Sequence, residues 1–135
     1  MSSEDVPGIP ETGTADYDQL MKANALRVFS EPDVARRLSA LQELWSEDGT
    51  LVESETVVVG HHAISDSVGA LLTQLPPGTV FSPEGDAAGH HGLGRLRWRA
   101  RSQDGASGPV SGTDIAFVEG DRIIRLYVVL DPLER

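Results

Sequence analysis

The chain has 135 residues, enough for one domain with a single core. Eleven Lys plus Arg against 21 Asp plus Glu give a net charge of -10, a surface that repels phosphate backbones and anionic lipid. Neither a nucleic acid nor a membrane surface is therefore an expected partner. No cysteine is present, which excludes disulfides, thiolate catalysis and Cys-ligated zinc. No apolar run approaches the ~20 residues of a membrane span. The start, Met-Ser-Ser-Glu-Asp-Val, has neither the basic nor the apolar stretch of a signal peptide, so a soluble cytoplasmic protein is expected.

Residues 1–14 are rich in Pro, Gly, Ser and Thr and carry Glu4, Asp5 and Glu11 without a base. They read as a disordered acidic tail in front of a single domain over 15–135. Tyr17, Leu20, Met21, Ala25 and Val28 recur at helical spacing and predict a first helix over 16–29. Ser30-Glu-Pro-Asp33 stops it and opens a second, with Ser30 as cap and Pro32 in the first turn. Val34, Leu38, Leu41, Leu44 and Trp45 form that helix's apolar stripe. Glu47-Asp-Gly49 breaks it, and Thr50–Glu53 and Val57–Val59 read as short strands. Ile64, Val68, Leu71, Leu72 and Leu75 mark a third helix, ended by Pro76-Pro-Gly78.

Strand patterns fill the rest of the chain: Thr79–Ser82, a long alternating His90–Arg101, Val110–Val118 and Arg122–Leu130. Turns are expected around Gln103-Asp-Gly105 and at Glu119-Gly-Asp121. Three helices followed by a strand meander make an α+β pattern: a curved antiparallel sheet wrapped around its helices. Such a cone, a cystatin-like roll, leaves an apolar pocket at its open end where a small apolar molecule binds.

Two stretches then suggest a family. Trp45-Ser-Glu-Asp-Gly-Thr-Leu-Val-Glu53, with Gly60 before a helix containing Ile64, resembles the first strand of the nuclear-transport-factor-2-like superfamily. The run from Gly112-Thr-Asp-Ile-Ala-Phe through Arg122-Ile-Ile to Asp131 resembles that superfamily's last hairpin. The resemblance covers about 115 residues, essentially the whole body, and is nearest to the SnoaL-like and ketosteroid-isomerase-like branch. It implies an α+β cone, usually a homodimer, with a pocket for small apolar substrates. No cofactor is implied.

Glu53 shares a strand face with Leu51, so a pocket on that face would hold a carboxylate among apolar groups. Burial suits such a group to proton transfer near neutrality. The resemblance also puts the isomerases' general base at Glu53; the plainer alternative is a strand-end glutamate in water. Asp114 stands mid-strand between Gly112 and Ala116, with Val110 and Val118 beyond. An aspartate on a small apolar face is costly unless paired or protonated. The protonated form can donate a hydrogen bond to a developing oxyanion, as an aspartic acid does in ketosteroid isomerase. The resemblance aligns Asp114 with that acid; a buried Asp that satisfies turn or helix-end amides is the alternative.

The resemblance departs at Ala25, where those isomerases carry a tyrosine as second oxyanion donor. Neighbouring Asn24, on the apolar stripe, is a candidate pocket amide. An epoxide-hydrolase reading is disfavoured, because that branch's last-strand acid falls at Val128 and its Arg-x-Asp needs Arg at Gly112.

The histidines come as His61-His62 and His90-His91. Neighbours on a strand face opposite ways, so neither pair chelates a metal there, and no metal site is expected. His90 shares strand parity with Leu96, Trp98 and Ala100, which makes it a candidate second acid or base inside the pocket. Trp98, Ile124, Leu126, Val128 and Leu130 are expected to line the pocket. Arg95, Arg97, Arg99 and Arg101 form a row on the opposite face, read as an outer or dimer face answering the acid surplus.

The resulting expectation is a small-molecule pocket protein performing isomerase- or cyclase-type proton transfer on an apolar carbonyl compound. Glu53 is the proton shuttle, Asp114 the acid or enolate stabiliser, and His90 an assistant. A non-catalytic ligand-binding or dimerisation module, or a hydrolase or hydratase whose carboxylates activate water, are the alternatives. The sequence names neither the substrate nor the pathway.

Overall fold

The computed structural model describes residues 6–10 and 15–132. Most of the expected tail lies outside the described residues; of it, residues 6–10 make a turn in which Ile9 N donates to Val6 O at 3.2 Å. Helix α1 (Tyr17–Ala23) starts where Asp16 accepts from Gln19 N at 3.0 Å. It runs without a break into a π-helical turn, Asn24–Phe29, whose wider winding buries Asn24, Ala25, Val28 and Phe29 together. Ser30 does not cap the next helix. Its Oγ donates to Ala25 O at 2.7 Å and accepts from Phe81 N at 2.9 Å, which ties the π turn to a distant strand.

Asp33 caps α2 (Val34–Leu44), accepting from Arg36 N at 2.9 Å. Trp45, expected to close the stripe of α2, instead opens strand β1 (Trp45–Val52). Its buried indole lies over Gly49, where a Cβ would stand 2.7 Å from the ring. Strand β2 (Val57–Val59) returns along β1, and Gly60, at φ +95°, turns the chain into α3 (His61–Thr73). Buried Arg37 pins α2 to α3 by donating from Nε to Ser65 Oγ at 2.9 Å. Among the described residues no helix is long and apolar enough to cross a membrane.

The remaining strands are β3 (Val80–Pro83), β4 (Ala88–His90), β5 (Leu93–Arg101), β6 (Ser107–Glu119) and β7 (Arg122–Leu130). The sheet runs β2-β1-β7-β6-β5-β3, with β4 also on β5. It is mixed, not wholly antiparallel: β1 lies parallel to β7, and every other pairing is antiparallel. The helices cover its inner face over a core of Met21, Leu41, Leu51, Leu96, Ile123 and Leu126, so the architecture is the expected α+β cone.

Two departures move candidate residues. The chain reverses at His91 (φ +50°) and Gly92 (φ +83°), so His90 ends β4 and does not begin β5. The strand parity that placed His90 inside is thereby broken. On β7, Ile123 pairs with Val118 while Arg125 pairs with Phe117, so Ile124 is an extra bulged residue. Full burial consequently falls on Ile123 and Leu126, and Ile124 is only half-buried.

Candidate active site

A cavity of about 260 Å³ opens between the helices and the inner face of the sheet. The π turn contributes Ala25 and Phe29, the end of α3 contributes Leu71, and the turn after it contributes Leu75. Strands β3, β5, β6 and β7 supply Phe81, Trp98, Ala100, Val110, Asp114, Val128 and Leu130. Glu53 and Ser54, from the β1–β2 turn, complete it. Phe81 meets Phe29 and Trp98 edge to face, at 6.5 and 5.2 Å between centroids, so three rings form one aromatic wall.

Asp114 is the buried polar group of this space, only 5% exposed. Its Oδ1 accepts from Trp98 Nε1 at 2.9 Å. No described residue bonds Oδ2, which opens on the cavity and is not sealed in protein. Burial pushes the carboxyl up to about 7 against the lowering effect of the Trp98 hydrogen bond, and the negative charge of Glu53 adds to the rise. Near neutral pH this group is therefore both a hydrogen-bond donor and a proton acceptor.

Glu53 is half-buried at the cavity rim. A tight turn fixes it, with its N donating to Thr56 O at 2.8 Å. Oε1 accepts from Ser67 Oγ of α3 at 3.3 Å and from Thr56 Oγ1 at 3.5 Å. The two acids thus differ in setting: one is deep with a single indole partner, the other peripheral with hydroxyl partners.

Of the residues singled out from the sequence, Glu53, Asp114, Trp98, Val128 and Leu130 line this cavity together. Asn24 does not. It is 1% exposed, and its Oδ1 accepts from Trp45 Nε1 at 2.8 Å, so its amide is spent on the core. Leu126 is core beneath the cavity, and Ile124 leaves the lining because of the β7 bulge. His90 lies exposed at the end of β4, its Nδ1 2.9 Å from that of His91. It is no part of the cavity. Among the described residues no group of three or more His, Asp or Glu is placed to hold a metal ion. Phe29 and Phe81 were not singled out; what brings them here is the π winding and the Ser30 bridge, neither of which has a periodicity signature.

The arginine row points outward and finds acids of its own chain. Arg97 pairs with Asp131 at 2.9 Å, while Arg99 and Arg101 reach Glu84 at 3.5 and 3.6 Å.

No protein-family model matches the sequence, and no curated protein does. Solved structures do. A SnoaL-like family protein from Agrobacterium tumefaciens strain C58, a proposed isomerase, superposes with a TM-score of 0.77 at 26% identity, over 86% of this chain and 97% of that one. A proposed SnoaL-like polyketide cyclase from Jannaschia sp. CCS1 gives 0.62 at 15% identity, over 88% and 90% of the two chains. A protein with a ketosteroid-isomerase-like fold from Catenulispora acidiphila DSM 44928, in complex with trimethylamine, gives 0.62 at 13%, over 85% of each. Element order, sheet topology and these likenesses agree: the chain has the fold of the nuclear-transport-factor-2-like superfamily and is similar to its SnoaL-like and ketosteroid-isomerase-like members.

Proposed function

We propose that this protein is an isomerase or cyclase that moves protons on a compact apolar carbonyl compound. The observation that carries this reading is the Asp114 carboxyl, held at about 7 with one oxygen open to an apolar cavity that Glu53 also lines. In the reading, the substrate carbonyl accepts a hydrogen bond from protonated Asp114. Glu53 takes the proton from the carbon next to that carbonyl, and negative charge gathers on the oxygen at Asp114. Glu53 then returns the proton at another carbon; in the cyclase variant the enolate carbon attacks a second carbonyl of the same substrate, whose C=O π bond opens to an alkoxide that takes the proton back from Glu53. Each group does the work its surroundings suit: a desolvated acid donates, and a solvent-reached carboxylate shuttles.

Size narrows the substrate. A dry cavity of ~150 Å³ accepts benzene, so about 260 Å³ suits one or two rings better than four. Ala25 brings no second oxyanion donor from the π turn, so that role rests on Asp114 in this reading. The same observation favours the second reading, a ligand-binding module of this fold without turnover.

Cyclohex-3-enone isomerisation and deuterium uptake by cyclohexanone, both followed by proton NMR in D2O, separate the two. The enzyme reading expects acceleration by the wild type and a loss on the order of 10²–10⁴-fold in Asp114→Asn and Glu53→Gln. Binding of either ketone without acceleration selects the binding module. A homodimer belongs to the same proposal. Its face would be the outer side of β6 and β7, where Tyr127 and Val129 are 37% and 50% exposed. A monomeric mass in light scattering overturns that part.

A further inference from the structure

The charge of the cavity lining points to a ligand class that carbonyl chemistry does not require. Among the described residues two carboxyls, Glu53 and Asp114, line the space, and no Lys, Arg or His does. The protein around it carries -10. An anionic ligand would enter against both acids with no cation to receive it. A neutral ligand would leave the charge of ionised Asp114 buried without compensation. An ammonium group satisfies Asp114 Oδ2 and replaces its neutralising proton. The walls fit the same ligand. Trp98 holds the other oxygen of Asp114 through the N–H on its ring edge, and Phe81 meets Trp98 in a T-shaped pair at 5.2 Å, so aromatic rings flank the space beside the carboxyl. Aromatic faces beside carboxylates recognise organic cations.

We propose that the cavity is a receptor for small apolar amines in their ammonium form, the nitrogen donating to Asp114 Oδ2 and the hydrocarbon resting on Phe29, Phe81 and Trp98. This stands on the charge and shape of the cavity and not on the proton-transfer reading. An amine and a ketone would compete for the space. The complex needs Asp114 ionised and the amine protonated. Asp114 rests at about 7, and an alkylamine titrates near 10, so affinity rises as pH passes through 7 and falls again near 10. Among the described residues Glu53 is the one other titratable group on the cavity; the π turn lines it with Ala25 and Phe29, β5 with Trp98 and β7 with Val128, none of which titrates.

The test is calorimetry on the full chain with three probes of one shape: cyclohexylmethylamine, cyclohexylmethanol and cyclohexanecarboxylate. At pH 8 the amine is expected to bind at least roughly tenfold tighter than the alcohol, and the carboxylate not measurably. Between pH 8 and pH 5.5 amine affinity should drop roughly tenfold or more while alcohol affinity holds, because Asp114 takes up its proton. Asp114→Asn should erase the preference for amine and keep alcohol binding. Should that variant not fold, Glu53→Gln should still weaken the amine selectively, by roughly threefold. Equal affinity of amine and alcohol at pH 8, amine affinity indifferent to pH, or no amine binding at millimolar concentration each overturns the proposal. Amine binding beside inactive ketone assays would sink the proton-transfer reading alone.

Discussion

Trp98 and Asp114 sit on neighbouring strands but not opposite each other. Across the β5–β6 ladder Trp98 faces Gly112 and Asp114 faces Leu96, and the indole leans two pairs along, to the next pair on the same face, to donate Nε1–H to Oδ1 at 2.9 Å. Gly112 makes room for that lean: a Cβ there would stand 2.8 Å from the indole Cζ2 and 2.7 Å from the backbone oxygen of Val129. One hydrogen bond thus fixes which oxygen of Asp114 is tied and which is offered to a ligand.

Replacing Trp98 by Phe keeps the ring and removes the donor. Since that hydrogen bond opposes the burial effect, the Asp114 titration should move above about 7. Carbon-13 NMR of the Asp114 carboxyl reads it directly. Stability should fall by about 1–3 kcal/mol, the cost of an unmet buried partner. An unchanged midpoint would show that Trp98 does not govern this group.

Asp114 also makes stability depend on pH. Its folded-state value, about 7, lies above its ordinary value of 3.8, so the folded state binds a proton that the unfolded state has lost between those limits. The resulting stability is fully present below about pH 4 and is lost as pH rises through 7. Asp114→Asn should remove this slope and gain on the order of 4 kcal/mol over the wild type at pH 8. Urea melts of both proteins at pH 5 and pH 8 give the difference, from which the carboxylates common to both cancel. A gap that does not widen with pH contradicts the assignment.

Gly112→Ala puts a methyl group against backbone and indole at once. Overpacking of this kind costs about 1–3 kcal/mol. The indole should also swing off Asp114, so the Asp114 titration in this variant should shift in the same direction as in Trp98→Phe. Thermal unfolding and the carboxyl resonance check the two parts separately.

Ser30→Ala removes the hydroxyl that links Ala25 O to Phe81 N. A loss of about 1–2 kcal/mol is expected for the half-buried pair. Because Phe29 and Phe81 both line the cavity, ligand affinity should weaken as well. If affinity holds while stability falls, the bridge supports the fold and not the cavity.

His90→Ala is expected to leave turnover and ligand binding within roughly twofold of the wild type, as surface changes away from a site do. A larger effect would mean that the β4–β5 turn reaches the ligand.

The sequence by itself determined the α+β order and the nature of the two acids. Helical spacing and strand alternation follow from side-chain direction, which is a local property. An acid amid Gly112, Ala116 and Val118 signals its own desolvation without any knowledge of the fold. Parity was trustworthy where a strand ran unbroken, as it did at Trp98 and Asp114, whereas Glu53 reaches the cavity from the turn after β1. Parity failed where one residue was inserted or the chain reversed: a bulge moved Ile124 off the lining, and the turn at His91-Gly92 put His90 outside. Asn24 was rightly placed on the buried stripe, but only the fold shows that Trp45 takes its amide.

The tertiary structure alone decided what the acids face. The parallel pairing of β1 with β7, the π winding at Asn24–Phe29 and the Ser30 bridge to β3 all join segments far apart in the chain. No local propensity encodes such joins, because their free energy comes from packing and from satisfying buried polar groups. The acid surplus that set the tone of the sequence divides accordingly. Asp131 and Glu84 answer three of the four arginines of the row on the outside, while Glu53 and Asp114 share one cavity that no described basic side chain lines. That division is a matter of position in space, which is why a count of charges could set an expectation against anionic partners but could not say what the cavity receives.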